Sequence, residues 1–313
     1  MHRAETSGAK DFECHVSGTP TPLVSVVIPV YNDLRRLEIC LRALQNQDYP
    51  KDRYEVIVVD NGSDEDIDSV IRKFRTLQVR TVEEHRVGSY AARNRGISVA
   101  RGEILAFTDS DCIPAPDWIR KGVKNLLRLS NPGLIAGRVQ VFYKDPRKPT
   151  PVELYDQIFS FRVSEGIRNR KTGPTANMFA PRRVFARVGF FNERLKSRGD
   201  FEWTRRAYLA GYQLTYAGDV CVAHPARYSF GQIYRRTIRV EGGVHDFNRS
   251  HRHSVAGSVR GFSSGILRGI ILVCLQRDLN WSQRLKVLIV MFSVKCVGIV
   301  ERLRLTLGGH SKR

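Results

Sequence analysis

The sequence predicts an α/β protein: a mostly parallel sheet flanked by helices, followed by a basic, apolar, helical C-terminal appendage. Three observations predict it. Short apolar, β-branched runs end abruptly in polar residues; a helical pattern separates the first two runs; and the composition changes at about Arg227. Continuous runs of this kind fit parallel strands buried on both faces.

Taken in order, residues 1–20 are polar and lack an apolar signal core, so they read as a flexible tail. Leu23 to Val30 is the first strand, running into Tyr31-Asn32-Asp33. Leu34, Leu37, Leu41 and Leu44 then share one helical face. Tyr54 to Val59 is the second strand and ends in Asp60-Asn61-Gly62-Ser63. Ser63 and Asp66 have capping-box spacing and predict a helix start there. Strand, helix, strand, helix implies right-handed crossovers and an open parallel sheet. Ligands bind beyond the carboxyl ends of such strands, where Asp60, Asp109 and Asp111 are expected to gather.

The next strand, after Glu103, ends in Thr108-Asp109-Ser110-Asp111. If extended geometry continues past Thr108, the two carboxylates point to one side. Hard oxygen ligands of this type suit Mg2+ or Mn2+, with water and phosphate completing the shell. An ordinary turn with capping aspartates also produces Asp-x-Asp, so the pair carries weight only in context.

Context comes from four segments in order: Val24-Ser25-Val26-Val27-Ile28-Pro29-Val30-Tyr31-Asn32, then Val56 to Ser63, then Ala91-Ala92-Arg93-Asn94-Arg95-Gly96-Ile97, then Phe107 to Asp111. Together they resemble the family 2 glycosyltransferases of the GT-A fold, a Rossmann-like architecture, over roughly Leu23 to His224. The resemblance implies transfer of a sugar from a nucleotide diphosphate donor with inversion at the anomeric carbon. It assigns Pro29, Tyr31, Asn32 and Asp60 to the base and ribose, Arg93 to the nucleotide region, and Asp109, Ser110 and Asp111 to nucleotide and metal. A carboxylate at Asp60 can accept from an N–H of uracil, thymine or guanine, which leaves UDP, dTDP and GDP sugars open, with UDP favoured. Tyr31 can stack on the base or simply cover the first helix. Arg93 and Arg95 lie in a helical stretch, and Arg93 is the one expected to fork onto phosphate.

In Lys196 to Arg206 the family pattern has a Glu-Asp pair, whereas this chain has Gly199-Asp200. The resemblance makes Asp200 the general base. Asp200 also stands where an N-cap belongs, ahead of Trp203, Ala207 and Ala210 at helical spacing and Gly211 as terminator. Glu202 is the second candidate, reading the acceptor or favouring the helix N-terminus. Gly173 to Phe179 resembles the acceptor-side strand. His224, after Val220 to Ala223, matches a histidine that supplies a further metal ligand in some relatives, against the simpler reading of a structural strand-end histidine.

The chain of 313 residues holds a catalytic domain at 21–226 and a C-terminal helical region at 227–313. Its 51 Lys and Arg against 31 Asp and Glu give a net charge of +20. The six cysteines show no paired spacing, which fits reduced thiols in a cytosolic setting. Past Arg227, Ile266 to Leu275 and Val287 to Val294 are apolar but shorter than the ~20 residues that span a bilayer. Two short apolar helices joined by Gln276 to Arg284, with basic flanks, fit a hairpin in the interface of an anionic membrane, peripheral on the cytosolic face. A helical subdomain packed on the catalytic domain is the alternative. Gln232 to Arg236 partly matches the Gln-x-x-Arg-Trp motif of processive membrane synthases, without the tryptophan. The charge would also suit a nucleic-acid binder, but the three aspartates and the absence of interleaved aromatics argue against it. A noncatalytic, glycosyltransferase-like membrane scaffold is the remaining rival. The acceptor expected is a saccharide or a lipid-linked saccharide.

Overall fold

The computed structural model describes residues 21–129, 133–250 and 258–311; the expected tail at 1–20 lies outside them. Strands β1 (Val24–Val30), β2 (Tyr54–Asp60), β3 (Val79–Glu83) and β4 (Ile104–Thr108) form the parallel half of one sheet, in the order β3-β2-β1-β4. Their side chains from Val26 to Ile28 and from Val56 to Val59 are wholly buried, because helices cover both faces. The second half continues through β7 (Asn177–Pro181), β6 (Leu134–Phe142), β8 (Leu214–Pro225) and the short β5 (Ile113–Pro114). There β7 runs antiparallel to both β4 and β6, while β6 and β8 are parallel. The sheet is therefore mixed, its parallel character concentrated at the N-terminal end.

Helix α1 (Leu34–Gln45) buries Leu37, Cys40, Leu41 and Leu44, as the leucine spacing predicts. Helix α2 (Ile67–Ile71) starts three residues later than the Ser63 spacing suggested: Asp66 is its N-cap and accepts from Ser69 N. Ser63 is used instead by the chain after β1, its hydroxyl accepting from Asn32 N at 3.0 Å. Helix α3 (Ser89–Val99) lies unusually close to the sheet, since a Cβ at Gly96 would stand 2.4 Å from Val27 Cγ1. That close approach brings the first turns of α3 down to the strand ends. Helices α4 (Trp118–Leu127), α5 (Pro151–Phe159), the single turn α6 (Val163–Glu165), α7 (Arg182–Val188) and α8 (Gly199–Leu209) complete the layer.

The C-terminal region is α9 (Phe230–Ser250), α10 (Ser258–Cys274) and α11 (Trp281–Thr306). These helices are longer than the two short segments expected, because Val287 to Val294 is only the middle of the 26-residue α11. A capping box, Asn280 with Gln283, fixes its start. Leu154 and Tyr155 of α5, Ile233 of α9, Val273 of α10, and Val287, Val290 and Met291 of α11 form a second small core. Asp156, fully buried, accepts from Arg227 N, from the Arg227 guanidinium and from Ser160 Oγ, tying α5 to the entry of α9. Arg302 of α11 then grips Glu241 of α9 with two hydrogen bonds of 2.6 and 2.9 Å.

Candidate active site

The strand order reverses direction of travel between β1 and β4, and the chain segments leaving them diverge. A cleft of about 860 Å³ opens there, walled by the ends of β1 and β4, the start of α3, the start of α8 and one face of α9. Pro29 and Tyr31 line it, and Tyr31 keeps 63% of its surface exposed, so its ring is available for stacking. Asn32 and Asp60 are not among the residues that line the cleft. Asn32, in the left-handed region at φ 48°, exchanges hydrogen bonds with Asp64, and Asp60 accepts from Ser63 N at 2.9 Å. Asn61 reaches the cleft in their place; its amide donates to the carbonyls of Glu84 and Arg86 and accepts from Gly88 N, which fixes the loop entering α3.

Arg93 points inward from α3 and is 4% exposed, whereas Arg95, two residues on, is exposed on another face. The Arg93 guanidinium donates to Asp109 Oδ1 and to Ser89 O, but its Nε is buried with no partner.

Asp109, Ser110 and Asp111 all line the cleft, by a route the pleat argument did not foresee. β4 ends at Thr108 and the chain turns, Cys112 N donating to Asp109 O at 3.0 Å. The carboxylates thus converge through a turn rather than by strand alternation. Asp109, Asp111 and Cys112 present ligand atoms within 4.8 Å of one another. The Cys112 thiol is buried and pushed well above its ordinary pKa by desolvation first and the two carboxylates second. His224, on β8, stands beside this group. It is 5% exposed, with its Nδ1 2.7 Å from Pro225 O and its Nε2 3.5 Å from Asp111 Oδ2. Asp33 adds to the negative field: burial, and then Asp111 among other neighbours, works against its ionisation, while Arg36 counters at 3.2 Å from Asp33 and 3.4 Å from Asp111. This oxygen-rich set with one imidazole suits Mn2+ or Mg2+.

Across the cleft, α8 begins two residues earlier than the sequence suggested. Arg198, at φ 63°, is the N-cap, and Asp200 lies inside the first turn. Asp200 Oδ1 accepts from Tyr90 Oη at 3.1 Å and Phe201 N at 3.0 Å, and Oδ2 from Thr175 N at 3.4 Å. Burial raises its pKa above the ordinary 3.8, against the lowering effects of Arg93 and of these donors. Gly199 explains the missing acid, since a Cβ there would meet the Tyr90 ring at 2.8 Å. Tyr90 thus occupies the space beside Asp200 and holds it. Glu202 does not line the cleft; it pairs with Arg206 at 2.9 Å, and Arg206 also caps the carbonyls of Val188 and Phe190. Sequence reasoning missed Tyr90, although it directly precedes the Ala91-Ala92-Arg93 motif.

This fold, with its acidic pair at the switch point, defines a glycosyltransferase of the GT-A class. Residues 25–195 match the model of glycosyl transferase family 2, and the chain belongs to that family. It is 42% identical over 228 residues to Glycosyltransferase AglE of Haloferax volcanii, covering 71% of this chain and 73% of that one. Among solved structures, the mannosyltransferase PcManGT from Pyrobaculum calidifontis, in complex with GDP-Man and Mn2+, is similar at a TM-score of 0.63 and 21% identity, over 91% of this chain and 88% of that one. S. aureus TarS 1–349 in complex with UDP is similar at 0.52 and 16% identity, over 93% of both. These two likenesses show the fold.

Proposed function

We propose that the protein transfers a sugar from a nucleoside diphosphate, with UDP favoured, to a hydroxyl of a saccharide or lipid-linked saccharide, with inversion. The observation that carries this reading is the convergence of Asp109, Asp111 and His224 in one cleft with the half-buried Asp200. Tyr31 stacks on the base, Asp60 and Asn32 serve the base and ribose, and Arg93 serves the nucleotide's phosphates. Asp109, Asp111 and His224 are the residues that would hold Mn2+ or Mg2+, which when bound offsets the charge on the departing diphosphate. Asp200 takes the acceptor's proton as its oxygen bonds to the anomeric carbon and the bond to diphosphate breaks, the electron pair leaving with the nucleotide. The ligands of the Pyrobaculum and staphylococcal proteins support a nucleotide-sugar donor.

The test is thermal unfolding with UDP and Mn2+. Stabilisation of the unaltered protein and its loss in Asp111→Ala are expected; equal stabilisation of both would refute the metal assignment.

The same reading places 227–313 on an anionic membrane, at the cytosolic face. Trp281, Leu285, Ile289, Phe292, Val300, Leu303 and Leu307 follow one another along α11 at steps of three, four or eight residues, and all are exposed. Leu267, Ile271 and Leu275 do the same on α10. Among the described residues no helix is long and apolar enough to cross a membrane, so contact along a helix side is the arrangement these stripes support.

A further inference from the structure

The cleft also carries a set of arginines. Arg236 and Arg239 lie three residues apart on α9 and both line it. Arg170, closing a π-helical turn at Gly166–Arg170, and Arg198, capping α8, line the same wall. The neighbouring Arg162 and Arg227 are neutralised by Glu165 and Asp156. Arg170, Arg198, Arg236 and Arg239 have no carboxylate within ion-pair distance among the described residues. Burial foremost disfavours the charged forms of Arg198 and Arg236; at the first Asp200 opposes this and Arg170 adds to it, and at the second Arg227 and Arg239 add to it while Asp156 opposes. Two half-buried guanidiniums, each with an exposed one nearby, leave positive charge that an anionic ligand would offset.

We propose that this basic wall binds a phosphoryl or diphosphoryl group carried by the acceptor, so that the acceptor is a phosphate-bearing saccharide or lipid rather than a neutral glycan. The inference rests on the transferase reading of the cleft, in which the donor's diphosphate is already served by Arg93 and the metal-holding carboxylates. Charge decides the class of ligand. A single carboxylate brings one negative charge to four guanidiniums, whereas a phosphomonoester brings about 1.5 to 2 and several acceptor oxygens matched to the guanidinium fork. Arg236 stands at the position where Gln-x-x-Arg-Trp has its tryptophan, which replaces an aromatic platform with a cation on the same helix turn.

The test uses the full chain saturated with UDP, with Mg2+ in excess over all phosphate, and calorimetric titration of inorganic pyrophosphate, geranyl diphosphate and glucuronate. Both diphosphates are expected to bind the UDP-loaded protein, and glucuronate far more weakly. Geranyl diphosphate binding more tightly than pyrophosphate would identify a lipid-borne group, and equal binding a group recognised without a lipid. Arg236→Ala with Arg239→Ala should weaken both by at least about ten-fold while UDP affinity is retained. Arg239→Ala alone, at an exposed position, gives a second reading if the double variant folds poorly. Competition between pyrophosphate and UDP, undiminished binding in the variants, or glucuronate binding as tightly as pyrophosphate would each overturn the proposal. Failure of UDP to bind the unaltered protein would instead remove the transferase reading and this inference with it.

Discussion

Tyr90 and Gly199 act as a pair, because the ring of one fills the space that a side chain on the other would need. Gly199→Ala is expected to cost ~1–3 kcal/mol through overpacking and to lower turnover by pushing the Tyr90 hydroxyl off Asp200. Denaturant unfolding and steady-state rates check both. Asp200→Asn should leave the UDP affinity intact and reduce kcat by roughly 10²- to 10⁴-fold, since an amide accepts hydrogen bonds but not a proton. A normal rate in that variant would remove Asp200 from its proposed role, and Glu202, already held by Arg206, is a poor replacement. The raised pKa of Asp200 has a definite sign. Its basic form is lost as pH falls through a value above 3.8, so the acid limb of kcat/KM should lie above that of an ordinary aspartate. A limb at or below 3.8 would contradict the burial argument.

At the scale of elements, α11 has two apolar sides with different fates. Val287, Val290, Met291 and Leu305 are buried against the rest of the protein, while Leu285, Ile289, Phe292, Val300 and Leu303 face outward. Burying such a side chain contributes about 1.5–3 kcal/mol, so leaving this many exposed is a large forgone gain unless a partner covers them. Ile289→Asp with Phe292→Asp is expected to abolish liposome flotation with little change in melting temperature, because the folded protein does not bury these positions. Unchanged flotation would remove the stripe from the membrane proposal. The helix start was legible and overlooked: Asn280 followed by Gln283 is a capping box within the stretch read as a linker.

Across the whole molecule, the net charge of +20 should make the same flotation depend on acidic lipid and on salt. Each near-surface cation contributes ~1 kcal/mol, and the screening length falls from ~8 Å at 0.15 M to ~3 Å at 1 M ionic strength. Equal recovery with neutral, acidic and no liposomes would leave the basic surface to a different partner. Among the described residues Cys40, Cys112, Cys221, Cys274 and Cys296 are free thiols.

The sequence by itself determined the parallel strands, the α1 face, Asp109 and Asp111 at a strand end, and the family, because these are written locally in period, β-branching and ordered motifs. Only the tertiary structure decided which side chains meet. Asp60 and Asn32, assigned to the pocket by motif, are held by cross-loop hydrogen bonds at the ends of β2 and β1, and Asn61 beside Asp60 lines the cleft. His224 stands more than a hundred residues from Asp111, and its imidazole reaches that carboxylate because β5, just after the acidic pair, is hydrogen-bonded to β8, which carries the histidine. The basic wall likewise draws on a π-helical turn, a left-handed cap and one face of α9. Contacts of that range depend on strand pairing and helix packing, which no short stretch of sequence encodes.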